Sequence, residues 1–337
     1  MKSKKTFIIA EAGVNHNGDL NLAKKMIDAA FESGVDAVKF QTFIPELVIS
    51  RFTDKAPYQI KSTTTEGNML DMVRPLQLDA KAHYELFRYC SARGIKFLST
   101  PYDVPSVDLL CDLGVDVFKI PSADIVHLPL LRKIGGLKKK VIMSTGMSDM
   151  SEIGDAIEVL VNAGTRKQDI TLMHCHTDYP TLMEDVNLLV MITLRKAFDI
   201  DVGYSDHTVG IEVPIVAVAL GATTIEKHFT LDRTMQGPDH SASLEATQLK
   251  EMVSSIRNIE QCLGDGIKRI SERERKNLKL MRRSIVAARD IFEGESFNEQ
   301  NIAVKRPGTG ISPMCWDDII GRVAIKDFLA DQLIELE

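Results

Sequence analysis

The sequence TFIIAEAGVNHNGDLNLAKKMIDAAFESGVDAVKFQT, residues 6–42, contains the unit that the rest of the chain repeats. It begins with a β-branched apolar run, continues through apolar residues at helical spacing and reaches a second apolar run after Gly34. Continuous apolar strands joined by helices are typical of a parallel sheet that helices cover. A glycine after the helical stretch favours the left-handed residue that ends a helix. The segment therefore predicts a strand–helix–strand unit.

The same unit recurs along the chain. Eight apolar runs, each ending in polar or charged residues, lie at 6–13, 36–42, 96–100, 115–122, 141–146, 170–176, 200–206 and 223–229. Helical stretches that are followed by a glycine lie at 22–31, 81–93, 104–113, 151–163 and 211–220. Eight strand–helix units predict a (β/α)₈ TIM barrel, an α/β fold whose active site lies where the strands end. We therefore expect an enzyme.

The chain is longer than a barrel requires. A minimal barrel has about 250 residues, whereas this chain has 337. Part of the excess lies at 43–80, where a long loop would be a substrate lid or wall, or a disordered insert. We predict a barrel domain at 1–263, a charged linker with a helical segment at 264–283, and a small domain of short strands at 284–337. The last has about 55 residues, close to the lower limit for folding alone, so we expect it to pack against the barrel or a partner chain.

Composition and charge exclude several classes of protein. The net charge is −6, so nothing favours nucleic acid, and an anionic substrate would need local lysines and arginines. No apolar stretch approaches the length of a membrane span, and the start of the chain lacks the pattern of a signal peptide. The five cysteines are odd in number and lack metal-type spacing, as in reduced cytosolic thiols. We therefore expect a cytoplasmic protein that binds neither nucleic acid nor membrane.

Two histidines follow neighbouring strands of the predicted barrel. His207 comes at the end of the seventh run and His228 at the end of the eighth, with Glu11 on the first strand beside them. Such groups offer ligands for a divalent transition metal that keeps open positions for substrate and water. The residues alone leave a second interpretation open, in which the two imidazoles only bond to neighbouring loops. His174 and His176, in the sixth run, are interpreted as core or supporting residues.

Lysines lie inside otherwise apolar strands at Lys39, Lys119 and Lys227. Because burying an unpaired ammonium is costly, each needs a carboxylate partner or an anionic ligand. Small hydroxyl residues end several of the runs: Thr100, Ser122, Ser144 and Ser205. Together with the lysines on the second and fourth strands they favour a cradle for a phosphate or carboxylate over structural pairing. The chain has no GxGxxG or GxxxxGK[ST] motif, which argues against a dinucleotide or nucleoside triphosphate.

A series of motifs resembles the sialic acid synthase family, which includes N-acetylneuraminate synthase and the legionaminic acid synthases. The motifs are IAEAGVNHNGDL, VKFQTF, FLSTPYD, FKIPSADI, STGMS, HCHTDYPT, GYSDHTVG, IEKHFTLDRTMQGPDH and KRPGTGISP, and they cover nearly the whole chain in order. The resemblance implies a TIM barrel followed by an antifreeze-like (SAF) domain of the β-clip type that begins near Ser284. It also implies a homodimer in which two chains swap these small domains.

The resemblance implies a metal-dependent transferase reaction that condenses phosphoenolpyruvate with N-acetylmannosamine and releases phosphate. The alternative substrate is 2,4-diacetamido-2,4,6-trideoxymannose, which would give N,N'-diacetyllegionaminic acid. A 6-phosphorylated sugar would need an added basic cluster, for which Arg51 and Lys55 are weak candidates. A hypothesis of another class is a catalytically silent barrel that binds glycan or pairs chains through its SAF domain.

The resemblance also implies roles for individual residues. His207 and His228 match the ligands of a Mn²⁺ or Mg²⁺ ion, and Glu11 matches a carboxylate close to the reacting carbons. The positions that match phosphoenolpyruvate-binding residues are Lys39, Thr100, Lys119, Ser122, Ser144 and Ser205. The positions that match sugar-binding residues are Gln41, Asp124, Tyr179, Asp239 and, contributed by the second chain of the dimer, Arg306. Asp124 stands where the family commonly has glutamate, and His176 replaces a small residue, so both departures bear on sugar specificity.

Overall fold

The chain separates into two compact units, Met1–Asp265 and Gly266–Glu337. The structure, a computed structural model, describes residues 5–56, 59–60, 63 and 67–337. The first unit is an α/β barrel and the second is a small unit with a two-stranded sheet.

Eight parallel strands form the barrel. They are β1 (Phe7–Gly13), β2 (Ala37–Thr42), β3 (Lys96–Pro101), β4 (Val117–Ile120), β5 (Lys140–Ser144), β6 (Ile170–Cys175), β7 (Asp201–Asp206) and β8 (Thr224–Thr230). Their hydrogen-bonded order is β3-β2-β1-β8-β7-β6-β5-β4, and a short strand β9 (Leu244–Glu245) pairs with β8. Strands β3 and β4 lie next to each other without a ladder among the described residues, so the barrel is nearly closed. Each predicted run covers one of these strands to within one residue, and the predicted TIM barrel is confirmed.

Helices alternate with the strands. They are α1 (Leu20–Ser33), α2 (Pro45–Val48), α3 (Met69–Val73), α4 (Ala80–Arg93), α5 (Val104–Leu113), α6 (Leu128–Gly136), α7 (Met150–Ala163), α8 (Val190–Phe198), α9 (Glu212–Ala219) and α10 (Ala246–Leu263). Asp19 caps α1 by accepting hydrogen bonds from two backbone N–H groups, and Gly34 ends it at φ 79°. The five helical stretches located in the sequence are confirmed, but α6, α8 and α10 were not located; α6 contains Pro129 and two glycines, which weaken a helical pattern. None of the described helices is long and apolar enough to cross a membrane.

The barrel interior changes from apolar to charged along the strands. An apolar layer that includes Ile9, Ala37 and Val117 fills the end where the strands begin. Side chains two residues further along a strand point to the same face, so Glu11, Lys39 and Lys119 stand directly above that layer. A second, larger apolar core lies between the outer face of the strands and the helices. The apolar layer thus forms a water-excluding floor below a group of charged side chains.

The insert at 43–80 forms part of a wall in its described residues. Two short helices, α2 and α3, and a 3₁₀ turn at Arg74–Leu76 lie within it. Phe43 and Leu76 pack with Val14 into a separate apolar cluster at the top of the barrel. Residues 57, 58, 61, 62 and 64–66 of the insert, which the sequence also predicts to be part of the lid or wall, lie outside the described residues.

The second unit has its own small core. Helix α11 (Glu272–Met281) precedes two antiparallel strands, β10 (Ser284–Ala287) and β11 (Ile302–Lys305), and a short helix α12 (Trp316–Ile319). The core residues are Ile285, Ala287, Ile291, Phe297, Ile302, Ile319, Ala324, Phe328 and Ile334. Helix α11 lies within the stretch predicted to be a charged linker with a helical segment, and none of its residues is buried.

Candidate active site

A cavity of about 710 Å³ lies at the carboxyl ends of the barrel strands. All the predicted site residues of the barrel line it: Glu11, Lys39, Gln41, Thr100, Lys119, Ser122, Asp124, Ser144, Tyr179, Ser205, His207, His228 and Asp239. Arg306 belongs to the second unit, where its Nε donates to the Met281 carbonyl at 3.2 Å. Its contribution to the site of another chain stays a prediction.

Lys39, on β2, is held by groups from both neighbouring strands. Its Nζ lies 2.9 Å from Glu11 Oε2, on β1, and donates to Thr100 Oγ1, on β3, at 3.0 Å. The other oxygen of Glu11 accepts from Gln41 Nε2 at 3.4 Å. Because Glu11 and Lys39 are register partners in the parallel sheet, the strand pairing itself brings the two charges together.

Lys119 lies on β4, two strands from Lys39, with β3 between them. Its Nζ donates to Ser144 Oγ at 2.7 Å and lies 3.5 Å from Glu226 Oε1. Glu226, on β8, accepts from Ser205 Oγ at 3.0 Å, and its second oxygen lies 3.6 Å from Lys39 Nζ. Glu226 therefore bridges the two lysines. We call Glu11, Lys39, Lys119 and Glu226 the floor cluster; all four are buried.

Burial and neighbouring charge move the two carboxyl groups of the floor cluster in opposite directions. Burial raises the pKa of Glu11 to about 7, and Lys39 offsets only part of this rise. Burial also opposes ionisation of Glu226, but Lys119 and Lys39 outweigh it and hold its pKa at about 2. Burial lowers the pKa of Lys119, whereas for Lys39 the attraction of Glu11 and Glu226 outweighs burial and raises the pKa. At neutral pH the cluster thus keeps one fixed anion, Glu226, and one carboxyl group close to its titration point, Glu11.

Two further predicted residues lie beyond the end of β4. Ser122 Oγ accepts from the Gly146 backbone N–H at 3.0 Å and lies 3.2 Å from Cys175 Sγ. Asp124 has one oxygen 3.3 Å from His127 Nδ1, while its other oxygen, Oδ2, is buried without a hydrogen-bond partner. Burial raises the pKa of Asp124. A buried acceptor without a partner is costly unless a ligand or water supplies a donor, so Asp124 is suited to bind a ligand hydroxyl or N–H.

The two predicted histidines face each other. Their ring centroids are 5.4 Å apart, and the Tyr179 ring lies 4.2 Å from His207 and 5.5 Å from His228. His207 Nδ1 donates to the His176 carbonyl at 2.5 Å, so Nε2 of that ring carries the lone pair. His176 thereby contributes to the site through its backbone, which side-chain arguments from the sequence did not indicate.

The electrostatics of this pair suit a metal ligand. Burial lowers the pKa of His207 to about 4 and that of His228 well below its usual value, so both rings are neutral at pH 7. His228 Nδ1 is buried without a hydrogen-bond partner and lies 3.9 Å from Asp239 Oδ2. Among the described residues no three or more His, Cys, Asp or Glu side chains surround one metal position, so Glu11 does not complete a ligand set with the histidines. The residues fit a cation that takes two imidazoles from the chain and its other ligands from solvent or substrate.

Lys227 is a structural residue and not part of the cavity. It points to the opposite face of β8 from Glu226 and His228, as the alternation of a strand requires. Its Nζ lies 2.5 Å from both Asp206 Oδ2 and the Thr208 carbonyl. The side chains of Lys227 and Asp206 are each 0% exposed, and we call them the sealed pair. The alternative interpretation of a buried strand lysine, an ion pair to an adjacent carboxylate, is correct at this position.

His174 lies on the outer face of β6, whereas Glu226 lies on the inner face of β8. His174 Nε2 donates to the Val186 carbonyl at 2.9 Å, which fits its interpretation as a supporting residue. Glu226 was not assigned a role from the sequence. The signal that could have found it is its spacing of two residues from His228, which places both side chains on the inner face of β8.

One part of the cavity wall is largely apolar. The residues of this wall are Val14, Phe43, Val48, Ile49, Met69, Met72, Val73 and Leu76, most of them from the insert at 43–80. A pocket with charged groups in one part and an apolar wall in another is typical of sites that bind small organic anions or polar ligands with apolar parts. The ligand that fits is therefore polar and anionic at the floor and carries apolar groups toward the insert.

Fold and site together define an α/β-barrel protein with a polar cavity at the strand ends and a small β-containing second unit. The NeuB family matches residues 26–268, and the SAF domain matches residues 282–337. The chain belongs to the NeuB family and carries a SAF domain.

Individual relatives are similar over nearly their whole length. The N,N'-diacetyllegionaminic acid synthase of Campylobacter jejuni is 54% identical over 98% of this chain and 99% of its own. The N,N'-diacetyllegionaminic acid synthase of Legionella pneumophila is 45% identical over 94% of this chain and 89% of its own. The crystal structure of N-acetylneuraminic acid (sialic acid) synthetase from Leptospira borgpetersenii, in complex with citrate, is 36% identical, covers 81% of this chain and 90% of its own, and has a TM-score of 0.71.

Proposed function

We propose that this protein is an N,N'-diacetyllegionaminic acid synthase, which condenses phosphoenolpyruvate with 2,4-diacetamido-2,4,6-trideoxymannose and releases phosphate. The observation that carries the proposal is the cavity, with paired lysines on its floor and a largely apolar part of its wall. The sequence alone put N-acetylneuraminate synthesis first and this activity second. The 54% and 45% identities to two legionaminic acid synthases support the reverse order.

The floor cluster supports binding of phosphoenolpyruvate. Lys39 and Lys119 present two ammonium groups from β2 and β4, the strands on either side of β3, and each is already hydrogen-bonded to a hydroxyl. Hydrogen bonds between charged groups are about twice as strong as neutral ones, so two lysines can hold a phosphate or carboxylate against water. The hydroxyls of Thr100, Ser144 and Ser205 would then reorient from these lysines and Glu226 toward the bound anion.

The wall supports the choice of sugar. The 2,4-diacetamido-2,4,6-trideoxy sugar has a methyl group at carbon 6 and an additional acetamido group, where N-acetylmannosamine has hydroxyls. Met72 and Leu76 are buried residues of the wall and offer an apolar surface to such methyl groups. A hydroxyl placed against the same surface would lose its hydrogen bonds to water without gaining others.

A divalent cation, Mn²⁺ or Mg²⁺, would be held by His207 and His228. When bound, such an ion supplies Lewis-acid polarisation of a carbonyl oxygen, here the aldehyde of the open-chain sugar. Tyr179 packs against both imidazoles and restricts their orientation. Asp124 and Asp239 offer carboxyl oxygens to sugar hydroxyl or amide groups at the cavity edge.

Glu11 is suited to act after the carbon–carbon bond forms, when water adds to carbon 2. Carbon 3 of phosphoenolpyruvate bonds to the aldehyde carbon, and positive charge develops at carbon 2, which a nearby carboxylate stabilises. The former aldehyde oxygen takes up a proton, and when the carbon–oxygen bond to phosphate breaks, the hydroxyl on carbon 2 loses its proton and becomes the keto group. That hydroxyl comes from water, which gives its first proton to a base as it adds to carbon 2. A pKa of about 7 matches Glu11 to that proton transfer near neutral pH. Oε1, which neutral Gln41 holds, is a better acceptor than Oε2, which Lys39 neutralises.

A second candidate is N-acetylneuraminate synthesis. The Leptospira synthetase structure, at 36% identity, supports it, and the two reactions need the same floor cluster and histidines. The choice between the two sugars therefore depends on the wall and on the carboxyl groups of Asp124 and Asp239.

The test is phosphate release from phosphoenolpyruvate in the presence of Mn²⁺, compared for the diacetamido-trideoxy sugar, N-acetylmannosamine and its 6-phosphate. We expect release to depend on the diacetamido-trideoxy sugar and to be lost in His207→Ala. Release that is faster with N-acetylmannosamine would favour the second candidate. If no sugar supports release, the synthase assignment is wrong and a barrel without catalysis, which binds glycan or pairs chains, is favoured.

A further inference from the structure

Glu226 places a carboxylate between Lys39 and Lys119, the two lysines that are proposed to bind an anionic ligand. One carboxylate oxygen lies 3.5 Å from Lys119 Nζ and the other 3.6 Å from Lys39 Nζ. Both distances are longer than a hydrogen bond, and Glu226 Oε2 is buried without a hydrogen-bond partner. The only direct hydrogen bond to this carboxylate among the described residues comes from Ser205. Glu226 thus balances the lysines by charge without engaging their N–H groups.

This arrangement leaves the ammonium protons available but reduces the net positive charge that a ligand meets. Lys119 donates to Ser144, and Lys39 donates to Thr100, so both can exchange a hydroxyl for a phosphate oxygen. A phosphate bound to both lysines would lie within two hydrogen-bond lengths of the Glu226 carboxylate. Like charges at that distance in a buried site repel strongly.

We propose that Glu226 is a resident counter-anion of the phosphate subsite, which keeps Lys39 and Lys119 paired in the empty site and weakens the retention of phosphate. The proposal rests on the proposed function, because it concerns the phosphate that the condensation releases. Glu226 is not a catalytic residue in this account. It sets the affinity of the lysines for their anion and so favours departure of the product.

Two effects of removing this charge oppose each other. Without Glu226 the repulsion of phosphate is lost, which strengthens binding. Lys119 also loses its charged partner and holds its proton less firmly, which weakens binding. The first effect prevails because the incoming phosphate itself replaces the lost charge beside Lys119, and because Lys39 keeps Glu11 at 2.9 Å. Glu226→Gln should therefore bind phosphate more tightly than the wild type, a result that loss of a purely structural residue would not give.

The experiment measures binding of inorganic phosphate to the full, metal-free chain by calorimetry or ³¹P NMR at pH 7. We expect the phosphate Kd to fall by about tenfold or more in Glu226→Gln, which keeps the shape of the side chain. Glu226→Asp keeps the charge and should stay within about threefold of the wild type. In turnover, Glu226→Gln should show a lower KM for phosphoenolpyruvate and stronger inhibition by phosphate, without a higher kcat.

A second pair of variants tests the proposal if Glu226→Gln does not fold. Lys119→Gln should lose phosphate affinity, and adding Glu226→Gln to it should restore part of that affinity, since the double variant has no unpaired charge. If Glu226→Gln binds phosphate equally or more weakly, in the wild type or in Lys119→Gln, the proposal that Glu226 is a counter-anion is wrong. If the wild type and all variants fail to bind phosphate, both the proposed function and the role of Glu226 are wrong. If the wild type binds phosphate and removing Glu226 does not tighten binding, only the role of Glu226 is wrong.

Discussion

The floor cluster and the sealed pair each join lysine to a carboxylate, but only the floor cluster faces the cavity. Glu226 and Lys227 are neighbours on β8, and both are buried. Lys227 meets Asp206 Oδ2 at 2.5 Å, and both side chains are 0% exposed. Glu226 instead faces the cavity, where its lysines lie 3.5 and 3.6 Å away. In the sealed pair, Lys227 and Asp206 bind each other directly. In the floor cluster, Lys39 and Lys119 keep N–H donors that a ligand can use.

Burial and ion pairing alone therefore do not identify a charged residue that binds ligand. What distinguishes the floor cluster is that one of its buried polar atoms lacks a hydrogen-bond partner next to a cavity: Glu226 Oε2 has none, and Glu226 lines the cavity. Buried polar atoms without partners are rare in folded proteins and call for a ligand or water. We therefore expect changes in the sealed pair to affect stability, and changes in the floor cluster to affect ligand binding and turnover.

The largest effect on stability is expected in Lys227→Met. This change leaves the Asp206 carboxylate buried without its partner, and breaking a buried pair in this way costs about 3–5 kcal/mol. Urea unfolding of the barrel, followed by far-UV circular dichroism, measures it, while fluorescence of Trp316, the single tryptophan, reports on the second unit. Adding Asp206→Asn should recover much of the loss. A Lys227→Met barrel as stable as the wild type would contradict the structural role of the pair.

The reverse pattern is expected in Lys119→Met. Removing one of the two ammonium groups should lower kcat/KM for phosphoenolpyruvate by about 10²–10³, or about 3–4 kcal/mol of transition-state stabilisation. The free energy of unfolding should change far less than in Lys227→Met, because Glu226 keeps Lys39 and Ser205. Steady-state phosphate release and urea unfolding on the same preparations give both numbers. If Lys119→Met loses stability and retains turnover, the floor cluster has a structural role and its assignment to ligand binding is wrong.

Within the floor cluster, Glu11 should make stability depend on pH. Its pKa is about 7 in the folded chain against an ordinary value of 4.5, so between these values the folded chain holds a proton that the unfolded chain has released. This contribution to stability is full below about pH 4.5 and is lost as pH rises to about 7, by up to about 3 kcal/mol. Glu11→Gln should remove this loss from urea unfolding curves of the metal-free protein. An unchanged pH dependence in that variant would show that Glu11 titrates normally.

The smallest effect is expected at the apolar wall. Met72→Gln is nearly isosteric and places an amide against the proposed position of the sugar methyl groups. We expect kcat/KM for the diacetamido-trideoxy sugar to fall about tenfold, in line with 1–3 kcal/mol for an altered contact in an apolar pocket. The KM for phosphoenolpyruvate should not change, and Met314→Gln, at an exposed position of the second unit, is the matched control. A rise in the KM for phosphoenolpyruvate would show that wall and floor do not act independently.

Much of the fold followed from local patterns, because the buried strands of a parallel barrel are continuous apolar runs. Helices α6, α8 and α10 were not located in the sequence; in α6, proline and glycine weaken the helical periodicity, although the helix still packs in the fold. The site residues of the barrel were predicted through motif resemblance, and all of them line one cavity.

The remaining features depend on geometry that sequence spacing does not fix. Lys39 and Lys227 look alike as lysines within apolar runs, and only the face of the strand separates them. Glu226 bridges lysines from β2 and β4, a relation across the barrel that no local pattern records. The His176 carbonyl, which orients His207, acts through the backbone and is independent of side-chain type.

Phosphoenolpyruvate labelled with ¹⁸O at the oxygen that bridges carbon 2 and phosphorus shows most directly which bond to phosphate breaks. The floor cluster is proposed to hold the phosphate while water adds to carbon 2, so the carbon–oxygen bond breaks. With the diacetamido-trideoxy sugar and Mn²⁺, we expect the label to leave with the released phosphate. Label retained in the sugar acid, or no release of phosphate with this sugar, would contradict the proposed reaction.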